Sequence, residues 1–115
     1  RMKQIVVYVH GKGGSAEEAE HYKFLFPDSE VIGFDYRAQA PWEAREEFPQ
    51  FFVAQRARCG RLTLIANSIG AFFSLLSLDE TLADAADLIS PVVDMEKLIC
   101  NMMKWANVTE REHKD

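Results

Sequence analysis

The chain is poor in the residues that make metal sites and disulfide frameworks. It has two cysteines, Cys59 and Cys100, with no CxxC or metal-ligand spacing, and three histidines, His10, His21 and His113, that share no motif. A structural zinc site and a disulfide-stapled fold are therefore not expected. No apolar run approaches the roughly 18 residues that a membrane helix needs. There is no excess of base either. The net charge is −5, so nucleic acid and anionic membrane are poor partners. No repeat, low-complexity linker or leader-type opening is read, and cytoplasmic residence is the default expectation.

What is present suits one globular domain. The chain has 115 residues, 48% of them hydrophobic and 27% charged, which is enough apolar material for a core and too much for a disordered chain. The charge is uneven. Residues 1–15 carry Arg1, Lys3 and Lys12 without an acid, and residues 79–94 carry five acids without a base. Such runs are ordinarily solvated faces and loops.

Apolar runs alternate with helix-like stretches. Gln4–Val9 is, after Gln4, continuously β-branched or aromatic, the pattern of a strand buried on both faces of a parallel sheet. Glu30–Phe34, Arg61–Ala66 and a short Asp87–Ile89 are the further strands. Helices are expected from a Ser15 cap to about Phe26, over Glu43–Arg58 with a break or kink at Pro49 and Gly60 as its cap, over Ala71–Leu78, and over Met95–Asn107 behind an Asp94 cap. The polar tail after Asn107 is expected to fray. The order predicts a three-layer α/β/α sandwich with a four-stranded parallel sheet, order 2-1-3-4. Its topological switch falls between strands 1 and 3, and ligands bind beside such a switch.

Two unusual loops meet there. After strand 3 comes Ala66-Asn67-Ser68-Ile69-Gly70-Ala71. A sharp strand-to-helix turn with small residues two places either side of Ser68 would expose the hydroxyl above a helix N-terminus. The same serine also fits an ordinary N-cap. After strand 1 comes His10-Gly11-Lys12-Gly13-Gly14, whose glycines let backbone N–H groups approach a ligand.

With VYVHGKGG, GFDYRAQA, LTLIANSIGA and LISPVVD in this order, the sequence resembles the α/β-hydrolase superfamily, in its N-terminal half. Ala66 replaces the first glycine of G-x-S-x-G, and Ala38 and Ala40 stand where glycines are common. The resemblance implies Ser68 as nucleophile, with Gly11 and Lys12 on the oxyanion loop and Ile69 giving the second N–H donor. It implies carboxylesterase-type hydrolysis of a small ester or acyl substrate, without metal or organic cofactor. It gives His10 a structural role in the loop. The family's acid and histidine come later in the chain. The downstream candidates here are Asp94 and His113, whose ordinary readings are a helix cap and a solvated tail. The chain alone is then expected to be weakly active or inactive.

Two other readings stay open. Gly11-Lys12-Gly13-Gly14-Ser15-Ala16 fits a dinucleotide fingerprint, with Asp35 about twenty residues on as the ribose acid. Or the chain is a non-catalytic association domain. A four-stranded sheet leaves an edge at strand 4, so a homodimer or higher oligomer is expected through that edge and apolar helix faces.

Overall fold

The computed structural model describes residues 3–79 and 81–89. Four parallel strands, β1 (Gln4–Val9), β2 (Glu30–Gly33), β3 (Arg61–Asn67) and β4 (Ala85–Ile89), form one sheet in the order β2-β1-β3-β4. That is the expected order. β1 is central, pairing Ile5 with Glu30 on one side and with Leu62 on the other.

Strand periodicity divides the core between the two faces of the sheet. Ile5, Val7 and Val9 of β1 point to one side with Leu62, Leu64 and Ala66 of β3. Val6, Tyr8 and Ile65 point to the other. The first side is covered by α1 (Pro41–Arg56) and α2 (Ile69–Ser77), and the second by a 3₁₀ helix over Ala16–Leu25.

α1 starts where Pro41 supplies a preset φ at the first helical position, with Ala40 extended before it. It buries Ala44, Phe48 and Phe52, four residues apart, so one stripe faces the sheet. Phe34 stacks on Phe51 at 3.9 Å and meets Phe48 edge-on at 4.8 Å. Truncating one fully buried phenylalanine here to alanine costs about 3–5 kcal/mol. The helix runs through Pro49, contrary to the expected break. Pro49 withdraws one hydrogen bond from the carbonyl of Arg45, an exposed residue, while Phe48 and Phe52 pin both sides of that point to the core. Gly60 is not the cap. Ala57 closes the helix, and the Gly60 N–H donates to the Lys3 carbonyl at 2.8 Å, at the start of the β1–β3 pairing.

The first helix is 3₁₀ rather than α over ten residues, an unusual length. Its three-residue period lines up Ala16, Ala19 and Tyr22 toward the sheet. Tyr22 stacks on Tyr8 at 5.0 Å. The fit is close: a Cβ on Gly33 of β2 would sit 2.0 Å from the Ala16 carbonyl oxygen. Ser15 precedes the helix without a side-chain cap.

β4 begins two residues before the expected Asp87. Asp84 anchors it: its carboxylate accepts from the Leu62 N–H at 2.8 Å and from the Arg56 guanidinium. Those contacts hold the Asp84 carboxyl below its usual range, the Arg56 hydrogen bond contributing most. Among the described residues no helix is long and apolar enough to cross a membrane. Asp94, Cys100, His113, the helix expected over 95–107 and the tail lie outside the described residues.

Candidate active site

The carboxyl ends of β1 and β3 bring the two loops together. Ser68 stands between β3 and α2 with φ 56° and ψ −120°. It is the one non-glycine residue with positive φ among the described residues. This backbone suits glycine and costs an L-residue about 1–3 kcal/mol. The carbonyl of Ser68 accepts from Ala71 N–H (3.0 Å) and Phe72 N–H (3.3 Å), and its own N–H donates to Ile89 of β4 at 3.0 Å. The side chain makes no capping hydrogen bond, so Ser68 is not an ordinary N-cap. The helix begins at Ile69, two residues earlier than expected, and the N–H groups of Ile69 and Gly70, ahead of the first intrahelical bonds, have no acceptor within the helix.

Close approach explains the small residues around it. A Cβ on Gly70 would lie 2.4 Å from the His10 carbonyl oxygen and 2.8 Å from that of Val9. Only glycine lets the first turn of α2 settle on the end of β1. Ala66, two places before Ser68, is fully buried. Gly11 is buried as well, and a Cβ there would meet the Ser68 Cβ at 3.0 Å and the Asn67 carbonyl oxygen at 3.1 Å.

The glycine loop is a tight turn. Gly14 N–H donates to the Gly11 carbonyl at 3.1 Å, and Gly13 has φ 80°, as the third residue of a type II turn requires. His10 anchors it. Its Nδ1 lies 2.9 Å from the Gly11 carbonyl oxygen. A carbonyl only accepts, so the proton is on Nδ1. The imidazole stacks on the Tyr36 ring at 4.3 Å, and the Tyr36 hydroxyl donates to the His10 carbonyl at 2.9 Å. Burial, with the Glu47 charge nearby, pushes the Tyr36 hydroxyl up to about 12. Glu47 clamps the same turn, accepting from the N–H groups of Arg37 and Ala38, each at 2.8 Å.

Behind the loop, on the 3₁₀ side, the Tyr8 hydroxyl donates to Glu18 at 2.6 Å. Burial first, and that hydrogen bond second, push Tyr8 up to about 12. The Glu18 carboxylate also packs against Gly14, where a Cβ would meet it at 2.8 Å.

A cleft of about 730 Å³ opens between the loops, and its lining includes His10, Lys12, Tyr36, Arg37, Ser68 and Phe73. The size suits a small ligand. Gly11, Lys12, Gly13, Ser68 and Ile69 all line this cleft. Gly14 and Asp35 are not among the lining residues. Asp35 is exposed and lies 3.7 Å from Arg37 Nη2. His21 is exposed on the 3₁₀ helix. Sequence reasoning missed Tyr36, Glu47, Tyr8 and Glu18. Tyr36 lies inside the GFDYRAQA segment and could have been singled out, whereas nothing local marks Glu18 or Glu47. Among the described residues no group of three or more His, Cys, Asp or Glu could hold a metal ion. Comparison with protein-family models, curated proteins and solved structures returns no match.

Proposed function

We propose that the chain carries the nucleophile half of an α/β-hydrolase-type serine hydrolase, acting on a small ester or related acyl bond. One observation supports this above the others: Ser68 holds a strained, positive-φ turn at the mouth of the cleft, its side chain spared from capping, with Gly11 directly against it. The Ser68 Oγ would form the new bond to the substrate carbonyl carbon. The negative charge on the carbonyl oxygen would meet the N–H of Ile69 and one from Gly11 or Lys12. Collapse of that intermediate would expel the alcohol and leave an acyl-serine for water to cleave.

Among the described residues no imidazole hydrogen-bonds the Ser68 hydroxyl, and with those residues alone the serine proton would pass to solvent. An oxyanion hole and binding without a working triad leave about 10³–10⁴-fold acceleration over water. Slow turnover is therefore the expectation. The test is p-nitrophenyl acetate hydrolysis by the chain and by Ser68→Ala. Slow hydrolysis lost in the variant supports the reading, and equal rates oppose it.

Dinucleotide binding through Gly11, Gly13, Gly14 and Asp35 has less support. The Glu18 carboxylate lies against Gly14, where it would repel a pyrophosphate, and Asp35 is outside the cleft. For association we propose a second copy on the β4 side, where Leu75, Leu88 and Ile89 are exposed beside a groove of about 290 Å³. Light scattering at high concentration tests it: a monomeric mass removes the proposal. We also propose a reducing compartment such as the cytoplasm, on the sparse cysteines of the sequence, which share no framework spacing.

A further inference from the structure

We infer that the Ser68 cleft selects acyl compounds bearing a second, anionic group, held by the side chains of Lys12 and Arg37. This rests on the hydrolase reading for the reacting end of the substrate, and on charge placement for the other end. The ionisable side chains lining the cleft are His10, Lys12, Tyr36 and Arg37, with no carboxylate among them. The whole chain has net charge −5, so the cleft has the sign opposite to the molecule.

The nearby acids are engaged elsewhere. Glu47 accepts from the Arg37 and Ala38 N–H groups, and Glu43 accepts from that of Gln39 at 2.8 Å. Both, with Glu46, line an adjoining groove along α1 that shares Arg37 and Ala38 with the cleft, and none of the three lines the cleft itself. Glu18 is bound to Tyr8 on the other side of the sheet. Asp35 is the one acid paired with a cleft cation, and that contact with Arg37 is long, at 3.7 Å, with both side chains largely exposed. Such a pair contributes little and exchanges readily for a better anion. Among the described residues Lys12 has no carboxylate within ion-pair distance.

The two cations are carried on held backbone. Lys12 sits in the Gly11–Gly14 turn, and Arg37 in the turn clamped by Glu47. A neutral ester leaves both in water. An ester with a carboxylate or phosphate at its far end meets both, while its carbonyl lies over Ser68. Focusing of a positive field in a cleft also raises local anion concentration.

Binding tests this without requiring turnover. The full chain carrying Ser68→Ala is titrated with monomethyl succinate, methyl phosphate and methyl butyrate, followed by amide NMR shifts at Gly11–Gly13 and Ser68–Gly70. At low salt at least one anion should bind about fivefold or more tighter than methyl butyrate, and the advantage should shrink as salt approaches physiological strength. The stronger of the two anions tells whether a carboxylate or a phosphate is preferred. Lys12→Ala or Arg37→Ala should each lower the anion-to-neutral ratio about threefold, and together abolish it, whereas Lys23→Ala, outside the cleft, should not. Equal binding of all three ligands overturns the inference, as does a ratio unchanged in the double variant. Failure of the hydrolase reading would appear instead as no turnover or adduct at Ser68 in the parent chain, with the anion preference of the Ser68→Ala chain intact.

Discussion

Tyr36 holds His10 twice: its ring stacks on the imidazole at 4.3 Å and its hydroxyl donates to the His10 carbonyl at 2.9 Å. The residue before the glycine turn is thereby tied to the loop after β2, and the floor of the cleft is set by two segments far apart in sequence. Tyr36→Phe keeps the stack and loses the donor. It should cost about 1 kcal/mol in urea unfolding and slow any reaction at Ser68. A variant with both quantities unchanged would show that the loop is positioned by something else.

Ser68 stores strain. Glycine at this position relaxes φ 56°, ψ −120°, while alanine does not. Ser68→Gly should therefore be more stable than Ser68→Ala by about 1 kcal/mol or more, a gain of about 4 °C or more in Tm. Equal melting of the two variants would contradict the strained turn.

Gly70→Ala tests the contact between α2 and β1. In an ordinary helix the change gains up to about 1 kcal/mol. Here the new Cβ would meet the His10 carbonyl at 2.4 Å, a backbone atom that cannot swing away. The expected result is a loss of about 2 kcal/mol or more, with any Ser68 reactivity lost as well. Denaturant melts with the sign of the helix-propensity gain would refute the packing.

Alkaline pH should weaken the fold through two tyrosines. Unfolded tyrosines ionise near pH 10, whereas Tyr8 and Tyr36 keep their protons to about 12 in the fold. Between those values the unfolded chain binds fewer protons, so this stability is complete below about pH 10 and is lost as pH rises toward 12. Urea midpoints compared at about pH 8 and pH 11 should fall, and Tyr36→Phe should remove part of the fall. A midpoint independent of pH in the parent would contradict the burial of these hydroxyls.

Much of the sheet was legible because β1 is continuously apolar from Ile5 to Val9, β3 is mostly apolar, and both end at glycine-rich or small-residue turns. Their alternation between two cores follows from strand geometry alone. The start of β4 was harder, since Ala85 and Ala86 give little hydrophobic contrast and the Asp84 anchor pairs residues far apart in the chain. The close seat of residues 16–25 on β2, where Gly33 admits the Ala16 carbonyl, joins segments that no local pattern links. Pro49 misled because tertiary packing of Phe48 and Phe52 outweighs one lost hydrogen bond. At the site, the meeting of Gly11, Lys12, Ser68 and Ile69 was read from loop position. The Tyr36–His10 stack and the Glu47 clamp were not, because they join segments whose spacing carries no motif.

The most direct test is labelling of the folded chain with a fluorophosphonate, read by intact mass and peptide mapping beside Ser68→Ala. A single slow adduct on Ser68, absent from the variant, is the predicted result. No adduct on Ser68 after prolonged exposure, in a chain still folded, would mean that the turn is architecture without a nucleophile and would contradict the hydrolase account.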